Sequence, residues 1–238
     1  MRYIFLALCF LVFCEVSAQV KTLKKAAVKA NNILNSKIPL QPSEVSDALR
    51  EALREGSKKA VASASQKNGF NTNDLIRISY PQDAIKMKSV LLKLGMNKQI
   101  DKFEEKMNRS AEIASKNALK ILLEAIHSLT LDEALAILHG EDNAATIYLQ
   151  QQSSDRLFME FKPLIQSSMK DVQLIKYWAP LISKYNSMPL TKKVNTDLEE
   201  YITIKAIDGL FLLISIEEKN IRNNPQYRVS DLLKKVFN

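Results

Sequence analysis

The stretch Ile202-Thr-Ile-Lys-Ala-Ile-Asp-Gly-Leu-Phe-Leu-Leu-Ile-Ser-Ile216 decides the fold, because it is an almost unbroken apolar run whose only charges are Lys205 and Asp208. A bilayer span asks for about 20 apolar residues, so this shorter, charge-interrupted run reads as a helix buried within protein. Upstream, Thr196-Asp-Leu-Glu199 has the spacing of a capping box and opens that helix. Downstream, the helix must end before Pro225, since proline disfavours helical backbone at the residue preceding it. Ser230 then caps a short last helix carrying Leu232, Leu233, Val236 and Phe237.

At 100° per residue, Asp208, Ser215, Lys219 and Arg222 share one stripe of the long helix, whereas Glu217 falls among Ala206, Leu210 and Leu213 on the apolar side. A carboxylate there calls for a buried cation, and Arg109 and Arg228 are the available partners. Asp208 and Glu217 are also the acids whose apolar sequence surroundings suit a raised carboxyl pKa. The candidate polar binding constellation is therefore Arg109, Glu112, Asp208, Glu217, Arg222 and Arg228, with an ion-pair network as its simplest role. The aromatics of the third quarter, Tyr148, Phe158, Phe161, Tyr177, Trp178 and Tyr185, read first as core and rim, with Tyr177-Trp178 as the candidate surface for glycan or peptide contact if exposed.

Working outward, the helical pattern is nearly continuous. Pro39-Leu40-Gln41-Pro42 is a linker, after which Ser43 opens a helix with Val45, Leu49, Ala52, Leu53 and Ala60 on one face, ending near Asn68-Gly69. Residues 70–81 hold the one extended pattern, Ile76-Arg77-Ile78-Ser79-Tyr80, which alternates with period two. A lone strand makes no sheet, so the segment reads as an extended loop or a short β-hairpin. Gln82 to Leu94 is a short helix closed by Gly95, and a long helix follows from Asn97 to Ser128. Thr130-Leu-Asp-Glu133 is a further capping box, for a two-turn helix stopping at Gly140. Asp142 is placed to cap a helix over 144–152, with Ser153 or Ser154 capping the next. Pro163 and Pro180 each predict a kink or break.

The ends and the charge bound the setting. Arg2, the apolar run Ile4 to Phe13 and the small residues Val16-Ser17-Ala18 read as a signal peptide over residues 1–18. Residues 19–42 follow as a basic arm with Lys21, Lys24, Lys25 and Lys29, and residues 43–238 as a single all-α domain with two long central helices. Both cysteines, Cys9 and Cys14, fall inside the signal, so the processed chain has no thiol for a disulfide, catalysis or metal binding. Five glycines in 238 residues argue against a turn-rich β fold. The formal charge of +8 favours anionic contacts, which for an exported chain means envelope glycans, anionic lipid surfaces or acidic protein partners rather than nucleic acid.

Several chemistries lack their residues. Glu124-Ala-Ile-His127 has the spacing of half a helical di-iron site, but His139 has Ala136 where the second glutamate belongs, and His127 shares the polar back of its helix with Lys116 and Lys120. No glycine-rich phosphate loop, nucleophile elbow or Ca²⁺ loop is present, and no cofactor is implied. The surviving enzyme alternative is a carboxylate-dependent hydrolase or lyase acting on envelope glycans, with Asp208 or Glu217 at the floor of a deep cleft.

Taken together, Asp47-Ala-Leu-Arg-Glu-Ala-Leu53 with Gly56, Asn68-Gly-Phe70, Leu94-Gly95, Asn108-Arg-Ser-Ala-Glu112, Asp142-Asn-Ala-Ala-Thr146 with Tyr148, and Asp208-Gly-Leu-Phe211 through Glu217-Glu218, Ile221-Arg222, Pro225, Arg228 and Leu232 to Phe237 resemble the bacterial domain-of-unknown-function 4197 family. The resemblance runs from about residue 43 to the end. It departs at Ser79-Tyr80-Pro81, where a more proline-rich loop is usual, and at Ser110, which interrupts an alanine pair. It implies a single exported helical domain in bacterial envelopes, and it carries over no substrate, cofactor or catalytic residue. With the catalytic motifs absent, the expected role is that of a binding or structural module of the envelope.

Overall fold

The computed structural model describes residues 41–237; the signal peptide expected over 1–18 and all but the last two residues of the expected arm lie outside them. The described chain forms α1 (Pro42–Ser65), α2 (Ile85–Lys93), α3 (Asn97–Ser115), α4 (Ala118–His127), α5 (Leu131–Leu138), α6 (Ala144–Asp171), α7 (Leu174–Asn186), α8 (Leu198–Asn223) and α9 (Asp231–Val236), with single 3₁₀ turns at Gln82–Ala84 and Pro225–Tyr227. There is no strand among them, so the fold is all-α as the composition requires. The apolar run lies within α8, which packs against α1 on one flank and α6 on the other and meets α3 behind them. Ile202, Ala206, Leu210 and Ile214 face this interior and are fully or almost fully buried. Among the described residues no helix is long and apolar enough to cross a membrane.

Several boundaries follow the sequence and several do not. Gly95 closes its helix at φ +79°, and Thr130 and Glu133 form the complete reciprocal capping box. Ser230 caps α9, its hydroxyl accepting from Leu233 N–H at 3.2 Å. The cap of α8 is displaced by one residue: Asp197, not Thr196, accepts from Glu200 N–H, at 3.0 Å, while the Thr196 hydroxyl is spent on Asp83. The helix expected over 97–128 is two helices. Ser115 hydroxyl back-bonds to Ala111 C=O at 2.8 Å, a contact that bends helices, and Asn117 N–H turns to Ala114 C=O. Conversely, Pro163 and Pro180 break nothing and sit inside α6 and α7. The carbonyls each ring releases belong to Met159 and Lys176, both residues of the exposed helix faces, the side on which prolines are best tolerated because water is within reach. The break between α6 and α7 comes instead at Gln173, in the left-handed region at φ 57°.

Residues 66–81 form an ordered loop with no hairpin. Asn68 turns the chain at φ 65°, and Gly69 passes so close to the end of α1 that a β-carbon would lie 2.3 Å from Ser63 C=O and 2.6 Å from Ala64 C=O. Phe70 then enters the core with none of its surface exposed. The period-two pattern is real: Ile76, Ile78 and Tyr80 are buried while Leu75, Arg77 and Ser79 face solvent. A side chain replaces the missing sheet neighbour. Asn108 of α3, itself fully buried, accepts from Ile78 N–H at 2.8 Å and donates to Ile78 C=O at 2.9 Å.

Replacing Asn108 by Ala strands both buried main-chain groups of Ile78, at about 1–3 kcal/mol for each unsatisfied group. Gly69→Ala forces backbone against backbone and should cost about 1–3 kcal/mol. Denaturant unfolding of both variants checks this; midpoints equal to wild type would show that the loop is not held as described.

Candidate functional site

The charged residues of α8 and its neighbours resolve into three groups by what they touch. The first is at the C-terminal end of α8. Glu218 is 9 % exposed, and its carboxylate accepts from Ala145 N–H at 2.9 Å, from Thr146 N–H at 2.7 Å and from the Thr146 hydroxyl at 2.7 Å. These amides belong to the first turn of α6, where helix N–H groups have no intrahelical acceptor and the helix dipole favours an anion. Asn143, the residue preceding that helix, makes no side-chain cap of its own. Asp142, expected to cap, instead accepts from Asn223 at 3.2 Å.

Glu218 also pairs with Arg222, one helical turn on, at 2.9 Å. The guanidinium of Arg222 continues to the last turn of α5, donating to Ile137 C=O at 2.9 Å and Leu138 C=O at 3.5 Å, and lies 5.7 Å from the Phe237 ring centre. Arg228 is 7 % exposed and folds back on the end of α8, donating to Ile221 C=O at 3.0 Å and Arg222 C=O at 2.8 Å. An acid thus serves a helix N-terminus and two arginines serve helix C-termini, each opposite the dipole end it complements. The apolar crevice beside them, walled by Leu53, Gly56, Ile214 and Phe237, has room for about one water molecule and is not a ligand pocket.

The second group lies on α3. Glu112, 1 % exposed, accepts from Phe70 N–H at 3.3 Å and pairs with Arg109 at 2.8 Å. Glu104, 5 % exposed, pairs with Arg77 at 2.9 Å and with Lys88. Together with Asn108 these acids fasten the 70–81 loop to α3. Tyr80 is buried beside them, and its phenol is pushed well above the usual range, first by burial and then by the nearby Glu104 and Asp101 carboxylates.

The third group faces outward. Asp208 is exposed and pairs with Lys205 at 3.1 Å, on a ridge of α8 where Ile204 and Leu212 are also solvent-facing. Open grooves run along both sides of this ridge. One, of about 280 Å³, lies between α8 and the Leu75–Ser79 segment, with Tyr201, Lys205, Gly209 and Leu212 on the helix side. The other, of about 230 Å³, lies between α8 and α6 and brings Asp155, Ser154 and Phe158 alongside Asp208 and Ile204. Both are open grooves, smaller than the roughly 300–1,000 Å³ usual for small-molecule sites.

These positions correct four readings of the sequence. Glu217 has no arginine partner among the described residues. It packs where Gly56 lets α1 come close, so that a β-carbon on that glycine would lie 3.4 Å from the Glu217 β-carbon, and its Oε2 lies 3.3 Å from Lys59 Nζ. The wheel placed the acid rightly on a covered face, for Oε2 is buried without a hydrogen bond among the described residues, but the cation beside it is a half-exposed lysine of α1 and not an arginine. Asp208 lies on an exposed ridge rather than at the floor of a deep cleft. Trp178 is only 6 % exposed, stacked on Phe103 at 4.7 Å and beside Tyr80 at 6.3 Å, so Tyr177-Trp178 is no aromatic platform. The six constellation residues are not assembled in one place: Arg109 with Glu112, Arg222 with Arg228, Glu217 and Asp208 each have separate surroundings. Sequence reasoning passed over Glu218, Glu104 and Asp155; the four-residue spacing of Glu218 and Arg222 was the available signal for the first. His127 is exposed as the wheel requires, and among the described residues no cluster of His, Cys, Asp or Glu has metal-site geometry.

The fold and its polar contacts define an all-helical domain whose buried acids hold helix ends and a loop. Residues 39–238 match the family described as a protein of unknown function, DUF4197, and the chain belongs to that family. No curated protein and no solved structure matches it.

Removing Glu218 should cost far more than removing Glu217. Glu218→Ala leaves Arg222 without its acid and two helix amides without an acceptor, an expected loss of about 3–5 kcal/mol, and Glu218→Gln, which keeps an acceptor, should lose less. Glu217→Ala breaks a half-exposed pair worth about 1 kcal/mol or less. Thermal unfolding ranks the three; equal midpoints for Glu217→Ala and Glu218→Ala would contradict the assignment.

Proposed function

We propose that this chain is an exported, non-catalytic binding or structural module of the bacterial envelope, and that it meets its partner through the outer face of α8. The observation that carries this reading is how the acids are used. Glu104, Glu112 and Glu218 are each buried and each engaged by main-chain amides or cations, which supports a structural use over proton transfer. The solvent-facing ridge of Ile204, Asp208 and Leu212 sets exposed apolar side chains between two grooves, which supports it as the surface for recognition. Charge adds a second mode of contact. Arg2, Lys21, Lys24, Lys25, Lys29 and Lys37 stand against Glu15 alone ahead of the folded unit, so most of the +8 excess belongs to that part of the sequence. Such a segment favours an anionic surface.

One observation favours an enzyme as the second reading: Asp155 and Asp208 line the same groove, and glycan cleavage asks for two carboxylates across a bond. Two measurements decide. Incubation with purified peptidoglycan should release no soluble fragments beyond a buffer blank, whereas release that disappears in Asp155→Asn/Asp208→Asn would establish the enzyme. A photo-crosslinking residue at Leu212, in cells making the full chain, should give discrete adducts that the same residue at exposed Leu190 does not. Equal or absent adducts at the two positions would sink the proposed binding face.

A further inference from the structure

The groove between α8 and the Leu75–Ser79 segment has an unfilled main-chain edge. Both main-chain groups of Ile78 point toward α3, where the Asn108 carboxamide takes them. In extended backbone the neighbouring residues turn their N–H and C=O to the opposite edge. On that edge Ser79 C=O accepts from the Tyr201 hydroxyl at 3.0 Å, and Tyr201 lines the groove, so the edge faces the groove. Arg77 N–H is used by Asn73 C=O at 2.8 Å. Arg77 C=O and Ser79 N–H remain, and among the described residues neither has a hydrogen-bond partner.

A carbonyl and the amide two residues beyond it are the pair that one residue of a parallel strand engages, its N–H donating to the first and its C=O accepting from the second. Asn108 already does the corresponding work on the far edge, so Arg77–Ser79 is a single strand held ready on one side and open on the other. Leu75 and Leu212 stand exposed along the groove, offering apolar contact to alternate side chains of a partner strand. The charge balance is one-sided: Arg77 and Lys205 line the groove against Asp208, and the acid paired with Arg77, Glu104, is shared with Lys88.

We propose that this groove receives an extended segment of a partner polypeptide, paired in parallel with Arg77–Ser79 and carrying an acidic side chain among apolar ones. Strand addition of this kind draws affinity from main-chain bonds and specificity from alternate side chains. The proposal rests on the reading of the α8 outer face as the binding face and names the class of partner.

The test begins with a random decapeptide library displayed on phage, selected against the protein from Gln19 to Asn238. Enriched sequences should alternate apolar and acidic residues. A synthetic copy of the best should slow hydrogen exchange at the Ser79 amide, and N-methylation of its central residue should weaken binding about tenfold or more, the equivalent of losing one main-chain bond of about 1.4 kcal/mol. Changing its acid to the amide should weaken it about threefold to tenfold, and Leu212→Arg, with an unchanged unfolding midpoint, should abolish binding. No enrichment, or enriched peptides that leave Ser79 exchange unchanged, overturns the proposal. Ser79 protection that rises with protein concentration alone assigns the groove to a second copy, and protection lost on deleting residues 19–40 assigns it to the chain's own N-terminal segment; either overturns it too. Crosslinking at Leu212 that persists when the peptide arm fails rejects the peptide and leaves the binding face standing, whereas failure of both rejects both.

Discussion

The Glu218 carboxylate is the contact on which the arrangement of the second half of the chain depends. It closes the first turn of α6 from 72 residues away in sequence, and through Arg222 it ties that turn to the last turn of α5. Three helices therefore share one charge pair, and Arg228 then closes α8 itself. Burying an acid and a guanidinium is costly unless their remaining lone pairs and protons are satisfied. Here the unsatisfied groups of helix termini supply the partners, so the desolvation of the ions and the orphaned ends of the helices offset one another. The arrangement also dictates register, because sliding α8 by one turn along α6 would uncover all of these groups together.

A parallel economy holds the other end of α8. The 70–81 loop carries a strand pattern with no sheet to join, and α3 supplies Glu104, Asn108 and Glu112 as its hydrogen-bonding neighbour. Gly209 lets that loop lie directly on α8, since a β-carbon there would fall 2.9 Å from the Phe70 ring. The two ends leave the middle of α8 with one free face. That face carries the two grooves, which is why the proposed function falls there and not on the charged end that first draws the eye in the sequence.

Legibility in the sequence followed the range of the interaction. Caps within a few residues of each other, Thr130 with Glu133 and Ser230 with Leu233, could be read directly, as could the all-helical class and the end of α8 before Pro225. Periodicity also placed His127 outside and marked the alternation over residues 76–80. What failed depended on distant partners. The cap of α6 comes from Glu218, beyond the reach of any local pattern, and the break expected near the prolines falls between them, at Gln173, while Pro163 and Pro180 lie within helices. Glu217 was misread only in its partner: the wheel put the acid rightly on a covered face, but the cation that meets it is Lys59 of α1, distant in sequence, and not an arginine. For Trp178 the sequence left core and surface open, because aromatic clustering alone does not separate them, and the structure places it in the core.

The account turns on whether Glu218 holds the start of α6 as firmly as a core contact. Native-state hydrogen exchange of the Ala145 and Thr146 amides tests this directly, since first-turn amides normally exchange with little protection. The account predicts that both exchange only through opening as costly as that of buried amides in the middle of α8, such as Leu210. Exchange at the rate of a frayed helix end would mean the carboxylate does not hold them, and the helix ends are arranged by packing alone.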